Sequence, residues 1–177
     1  LKLQLNKLWL HSLACASGSK LLAQEIPDIP LDNVFLMGMI HDIGKVVLLK
    51  AVADISPDEP LDDKSLLAAI QEVHTVFGSV LVKKWGFSDQ HIQAAELHHW
   101  DTFPDHTDKA LLVTHAANFM ASRSGFPSFF EPDKSDGDDT LKPAFEKVLK
   151  QLNIEPDRFN TLCGTLTDAM VDLSNQF

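Results

Sequence analysis

Apolar residues along this chain recur at steps of three and four, the spacing of one face of an α-helix. Over 66–84 the run is Leu66, Leu67, Ile70, Val73, Phe77, Val80 and Leu81, closing on Lys84, and Ser65 stands where an N-cap would. Residues 1–24 predict a first helix whose stripe carries Leu5, Leu8, Trp9, Ser12, Leu13 and Ala16. A second, over 33–50, follows Asp32 as its cap and is expected to bend near Gly44; a third, over 89–99, follows Ser88. Further helices are predicted at about 107–122, 141–152 and 157–174. Alternating strand patterns are scarce. Loops fall at 27–30, 56–60, Trp100–Asp108 and 125–139, where turn residues and acidic charges without periodicity predict a surface loop. The pattern predicts an all-α fold, and 177 residues suffice for a single domain with a real core.

Composition narrows the function more than the fold. A net charge of −10, with Lys83–Lys84 the longest basic run, argues against a nucleic-acid surface built on clustered cations. No apolar run approaches the ~18 residues of a membrane span, so no membrane partner is expected. Cys15 and Cys163 lie far apart in apolar helical contexts and read as buried free thiols, with a reducing cytoplasm the expected location. The chain opens within an amphipathic run and without a start methionine, so it reads as a fragment of something larger. Gly18-Ser19-Lys20 lacks the earlier glycine of a P-loop, and Pro132 and Lys134 stand where an EF-hand would need ligands.

The eight histidines carry the chemistry. His11, His41, His74, His98 and His99 fall on predicted helices and share faces with apolar residues. One such histidine is ordinary core. Several on separate helices, together with Asp42, are better explained by convergence on a shared cation, because unpaired imidazole is costly to bury. Imidazoles with a carboxylate suit Fe, Mn, Zn or Ni, whereas an oxygen-rich set would suit Ca or Mg. His91, His106 and His115 match no ligand position and are expected at the surface or behind the ligands. Gly38 and Gly44 are expected to permit close helix packing, and Trp9, Trp85 and Trp100 to lie in the core or at its rim.

A histidine in the first helix, then HDIGK (41–45), H-x-x-x-G (His74 to Gly78), Trp85 to Ser88, His98–His99 and VTHAAN (113–118) together resemble the HDOD branch of the HD-domain metal-dependent phosphohydrolase superfamily. LWLHSLACA (8–16) and MIHDIGKVVL (39–48) are especially similar to that branch, and the likeness runs from about Leu8 to about residue 122. The resemblance implies an HD-domain-like helical bundle, the HD half of a longer domain whose N-terminal helical half is missing here. It also implies a role in bacterial signalling, after a receiver or other sensory module or against signalling proteins.

Carried over residue by residue from the HD-GYP phosphodiesterases, the resemblance gives Asp42 as the ligand shared by two metals. His11 and His41 would join it on one ion, where Asn118 replaces an aspartate; His74, His98 and His99 would hold the other. Lys45 would contact substrate phosphate. GYP and the acidic residue of HHE are absent, which argues against cyclic-di-GMP hydrolysis. Two readings follow: a signalling output module, catalytically weak or inactive, holding one, two or no ions; or an active metal-dependent phosphohydrolase on a nucleotide or cyclic dinucleotide, with Asp42 and Lys45 catalytic.

Overall fold

The computed structural model describes residues 1–56, 63–128 and 141–174. Among them the chain forms eight α-helices and no strand: α1 Lys2–Ala23, α2 Leu31–Ile40, α3 Ile43–Ile55, α4 Lys64–Lys84, α5 Asp89–Leu97, α6 Lys109–Arg123, α7 Pro143–Leu152 and α8 Pro156–Ser174. The fold is all-α, as the periodicity predicts. Helix α1 lies at the centre and packs on α2, α6 and α8, while α3, α4 and α5 form a neighbouring layer. The main core joins α1, α6, α7 and α8 through Ala14, Leu22, Ala117, Met120, Leu149, Phe159 and Leu166, all essentially inaccessible to water. A smaller cluster of Leu8, Leu49 and Ile70 ties α1 to α3 and α4. Cys15 and Cys163 are both buried thiols, neither joined in a disulfide, as expected.

Several boundaries differ from the periodic reading. The segment expected as one helix over 33–50 is two, interrupted at His41–Asp42 rather than bent at Gly44. Asp32 lies inside the first turn of α2, with Pro30 at the N-cap. The cap of α4 is Asp63, whose carboxylate accepts from the backbone N–H groups of Ser65 and Leu66. Asp108 caps α6 in the same way through Ala110. Ser88 occupies the N-cap of α5, but its hydroxyl bonds the His91 ring instead of the backbone. The three tryptophans are rim residues, each about half exposed.

The inward face of α4 is also not the stripe that periodicity singles out. Ile70, His74, Gly78, Ser79 and Val82 are buried, whereas Val73, Phe77 and Val80 face outward. The reason is a close backbone crossing. A Cβ on Gly44 would sit 2.1 Å from the carbonyl oxygen of His74, and one on Gly78 would meet the Gly44 backbone at 3.3 Å. Only small residues fit where α3 meets α4, so the small side of α4 turns in. By length and composition α4 is also the described helix apolar enough to cross a bilayer, though it is a packed element of this bundle. Gly38 plays the corresponding part between α2 and α1, where a Cβ would approach Ala16 to 2.8 Å.

Gly44→Ala therefore forces backbone apart. It should lower stability by about 2 kcal/mol or more, a fall in melting temperature of roughly 4–8 °C. Gly164, in α8 with nothing within 4 Å of an added Cβ, is the control. Gly164→Ala should leave the melting temperature unchanged or slightly higher, since alanine is the better helix former. Thermal melts followed by circular dichroism check both.

Candidate metal centre

The break between α2 and α3 solves a problem of direction. Neighbours within one helix point apart, yet here α2 ends at Ile40 and Asp42 leaves helical geometry with φ −100° and ψ 14°. His41 Nε2 consequently comes within 3.5 Å of Asp42 Oδ2. From α1, His11 Nε2 reaches the same oxygen at 3.6 Å. From α4 and the end of α5, His74 Nε2 and His98 Nε2 stand 3.4 and 3.1 Å from Asp42 Oδ1. The carboxylate thus faces two histidines with each oxygen. Two ligand-grade groups share it: His11, His41 and Asp42; and Asp42, His74, His98 and His99, with the atoms of each set within 4.8 Å of one another.

The tautomers are fixed from behind. Nδ1 of His11, His41 and His74 lies 2.7–2.8 Å from the carbonyl oxygens of Phe126, Gly38 and Gln71. His98 Nδ1 lies 3.0 and 3.1 Å from those of Ala94 and Ala95. A carbonyl can only accept, so each Nδ1 donates, and a neutral ring held this way turns the Nε2 lone pair toward Asp42. This is the arrangement by which backbone carbonyls orient histidines that hold metals. It leaves acceptors facing acceptors. His74 Nε2 and His98 Nε2 are only 3.3 Å apart, and the buried His11 Nε2, His41 Nε2 and Asp42 Oδ1 have no hydrogen-bond partner. Buried polar atoms in that state ask for a cation.

One cation is already present. The fully buried Lys45, one turn along α3, donates from Nζ to Asp42 Oδ2 at 2.9 Å and to Ser128 Oγ at 3.2 Å. It therefore sits on the oxygen shared with His11 and His41. Burial would raise the Asp42 carboxyl, but the Lys45 ammonium, the strongest of the groups opposing it, helps hold it well below the usual carboxylate range. Burial pushes His41 well below its ordinary value and, together with Lys45, lowers His74 to about 4. These two rings are neutral at physiological pH, as ligation requires.

The structure brings together His11, His41, Asp42, Lys45, His74 and His98, all buried, with His99 at the open rim. The adjacent pair His98–His99 can contribute jointly because α5 ends at Leu97; their ring centroids are 4.2 Å apart, and that of His99 is 5.1 Å from that of His74. Asn118 is buried on α6 with its Oδ1 unpartnered. It lines a cavity of about 250 Å³ with His98, His99, His115, Phe119 and Lys142. His115 supports the centre from behind, its Nδ1 bonding the carbonyl of His98 at 2.9 Å. His91 is buried against Ser88, and His106 is exposed.

Two contributors escaped the sequence reading. Phe126, through its carbonyl, and Ser128, through its hydroxyl, hold His11 and Lys45 from a segment expected to be surface loop. Ser128 is instead buried. The rest of that expected loop, 129–139, lies outside the described residues, as do residues 57–60 of the loop expected at 56–60. No charge or periodicity marks 126–128 as inward-facing; the apolar phenylalanines are the one hint.

The family model of the HDOD domain matches residues 1–100, more than half of the chain. The chain belongs to the HDOD family. A crystal structure of an HDOD domain protein with unknown function from Geobacter sulfurreducens superposes with a TM-score of 0.66 at 19% identity. The match covers 94% of this HDOD chain and 59% of that one, so this chain spans under two thirds of its neighbour's length. At that identity the likeness concerns the fold. No curated protein matches the sequence.

Two outcomes follow from the electrostatics of the metal-free protein. His74 titrates near 4 when folded, against 6.5 for an ordinary histidine. As pH falls below 6.5 the unfolded chain takes up this proton first, so stability is complete above that value and declines progressively toward pH 4. Melting temperatures measured from pH 7.5 to 4.5 should therefore drop across that window, and a flat profile would contradict a neutral buried His74. Asp42→Asn strands the Lys45 charge and should cost about 3–5 kcal/mol, seen as a melting temperature lower by roughly 10 °C.

Proposed function

We propose that this HDOD domain is a signalling output module that holds a single divalent transition metal and acts by contacts, not by hydrolysis. The ligands would be Asp42 Oδ1, His74, His98 and His99, a set of imidazoles and one carboxylate suited to Fe, Mn, Zn or Ni. The orphaned acceptors around Oδ1 and the carbonyl-fixed tautomers support the fit. Bound there, the ion would supply a fixed positive charge and Lewis acidity beside a buried carboxylate.

The observation that carries the single-ion reading is the Lys45 ammonium on Asp42 Oδ2. It places a positive charge in the half that contains His11 and His41, where a second dication would otherwise be expected. Asn118 adds no anionic charge to the centre, and the acidic residue and GYP signature of the hydrolytic relatives are missing. Lys45 then acts as an internal counter-ion that also holds Ser128, and its ammonium is engaged rather than offered to a substrate phosphate. The module is expected to be cytoplasmic and to answer to a sensory or receiver domain or another signalling protein, with a nucleotide as the small ligand it would accept if it takes one.

Metal analysis of protein purified without chelator should return about one equivalent, lost in His74→Ala. Adding Mn or Fe to metal-free protein should raise the melting temperature, since a ligand at a hundred times its Kd contributes about 2.7 kcal/mol. Neither the wild-type chain nor Asn118→Asp should turn over generic phosphodiesters. Two equivalents of metal with metal-dependent turnover would establish the phosphohydrolase reading in its place, and absence of any metal effect would remove the ion from the account.

A further inference from the structure

The outward face of α4 is apolar where a solvent-facing helix should be polar. Val73 is 47% exposed, Val76 62%, Phe77 38% and Val80 61%. Their spacing, i, i+3, i+4, i+7, makes one straight stripe down the middle of the exposed side, opposite the buried Ile70, His74, Gly78 and Val82. Ala69 extends it toward the N-terminus and Lys84 closes it. A stripe of this period is the shape that another helix fills.

Charges beside the stripe indicate which helix. Glu72 and Lys83 are both exposed and have no ion-pair partner among the described residues. They are eleven residues apart, about three helical turns, so they lie on the same flank, one near each end of the stripe. In an antiparallel helix pair the same flank of each helix faces the other. Two copies of α4 running antiparallel would set Val73 against Val80 of the second copy and Val76 against Phe77. The same register brings Lys83 within about 3 Å along the axis of Glu72 in the second copy, and the reverse by symmetry. Each copy thus contributes one residue to each of two identical ion pairs.

We infer that α4 is a self-association surface, on which a second copy of this chain docks antiparallel through Val73, Val76, Phe77 and Val80, with Glu72 and Lys83 setting the direction. A two-fold interface of this kind is self-complementary and closed. One helix from each side makes a small contact area, so the dimer is a weak, concentration-dependent one. The surface does not depend on the metal centre, because these side chains point away from His74.

Sedimentation equilibrium of the whole chain over a wide concentration range tests this directly. The mass should rise from 19.6 kDa toward twice that value. Val76→Lys should weaken association about tenfold or more, with an unchanged melting temperature showing that the exposed site does not affect folding. Glu72→Lys and Lys83→Glu should each weaken it roughly threefold, and the two together should restore it toward wild type, because the swapped charges pair again. A chain that stays monomeric at every concentration overturns the proposal. So does association indifferent to Val76→Lys, or a double variant no better than its singles combined. Pelleting with neutral phosphatidylcholine vesicles that depends on Val76, without self-association, would overturn it in favour of a lipid surface.

Discussion

A single buried carboxylate organises this domain. Asp42 is almost wholly removed from water, and a charge in that position survives only with cations or donors around it. Lys45 meets that need on one oxygen. The other oxygen, Oδ1, has no hydrogen-bond partner although His74 and His98 stand close to it, so its acceptor capacity is unmet without a further cation or donor. Backbone carbonyls orient the rings about this carboxylate, and the turn through Phe126–Ser128 holds His11 and Lys45 beside it.

The fold supplies that arrangement through two local features. The interruption at His41–Asp42 lets adjacent residues converge, which an unbroken helix forbids. The contact of Gly44 against the His74 carbonyl brings α4 close enough for its ring to reach Asp42. The same crossing explains why α4 buries its small residues and leaves its valines outside. The converged histidine–aspartate cluster and the outward apolar face of α4 are therefore two consequences of one tight helix contact.

The helical class, the buried cysteines and every histidine of the cluster were legible in the sequence, because periodicity and the joint placement of His11, His41, His74 and His98–His99 are local signals. The family was legible from motif combination, and its model matches residues 1–100. What was not legible depended on three-dimensional proximity. Nothing in 66–84 reveals that Gly78 and Ser79, rather than Val73 and Phe77, turn inward; only the backbone crossing decides it. Ser128 carries no pattern that distinguishes it from its loop. The cap at Asp63 competes with Ser65, which reads equally well, and hydrogen-bond geometry selects between them.

HDOD membership and the cluster geometry together describe a histidine–aspartate cluster that could hold a metal ion, with a buried lysine on one side of its shared carboxylate. The most direct measurement is X-ray absorption spectroscopy of the chain loaded with zinc. The account predicts one ion in a shell of imidazole nitrogens and a single carboxylate at about 2.0–2.2 Å, with no second metal nearby. A metal–metal vector of roughly 3.5–4 Å, or a shell of water oxygens without imidazole scattering, would contradict it.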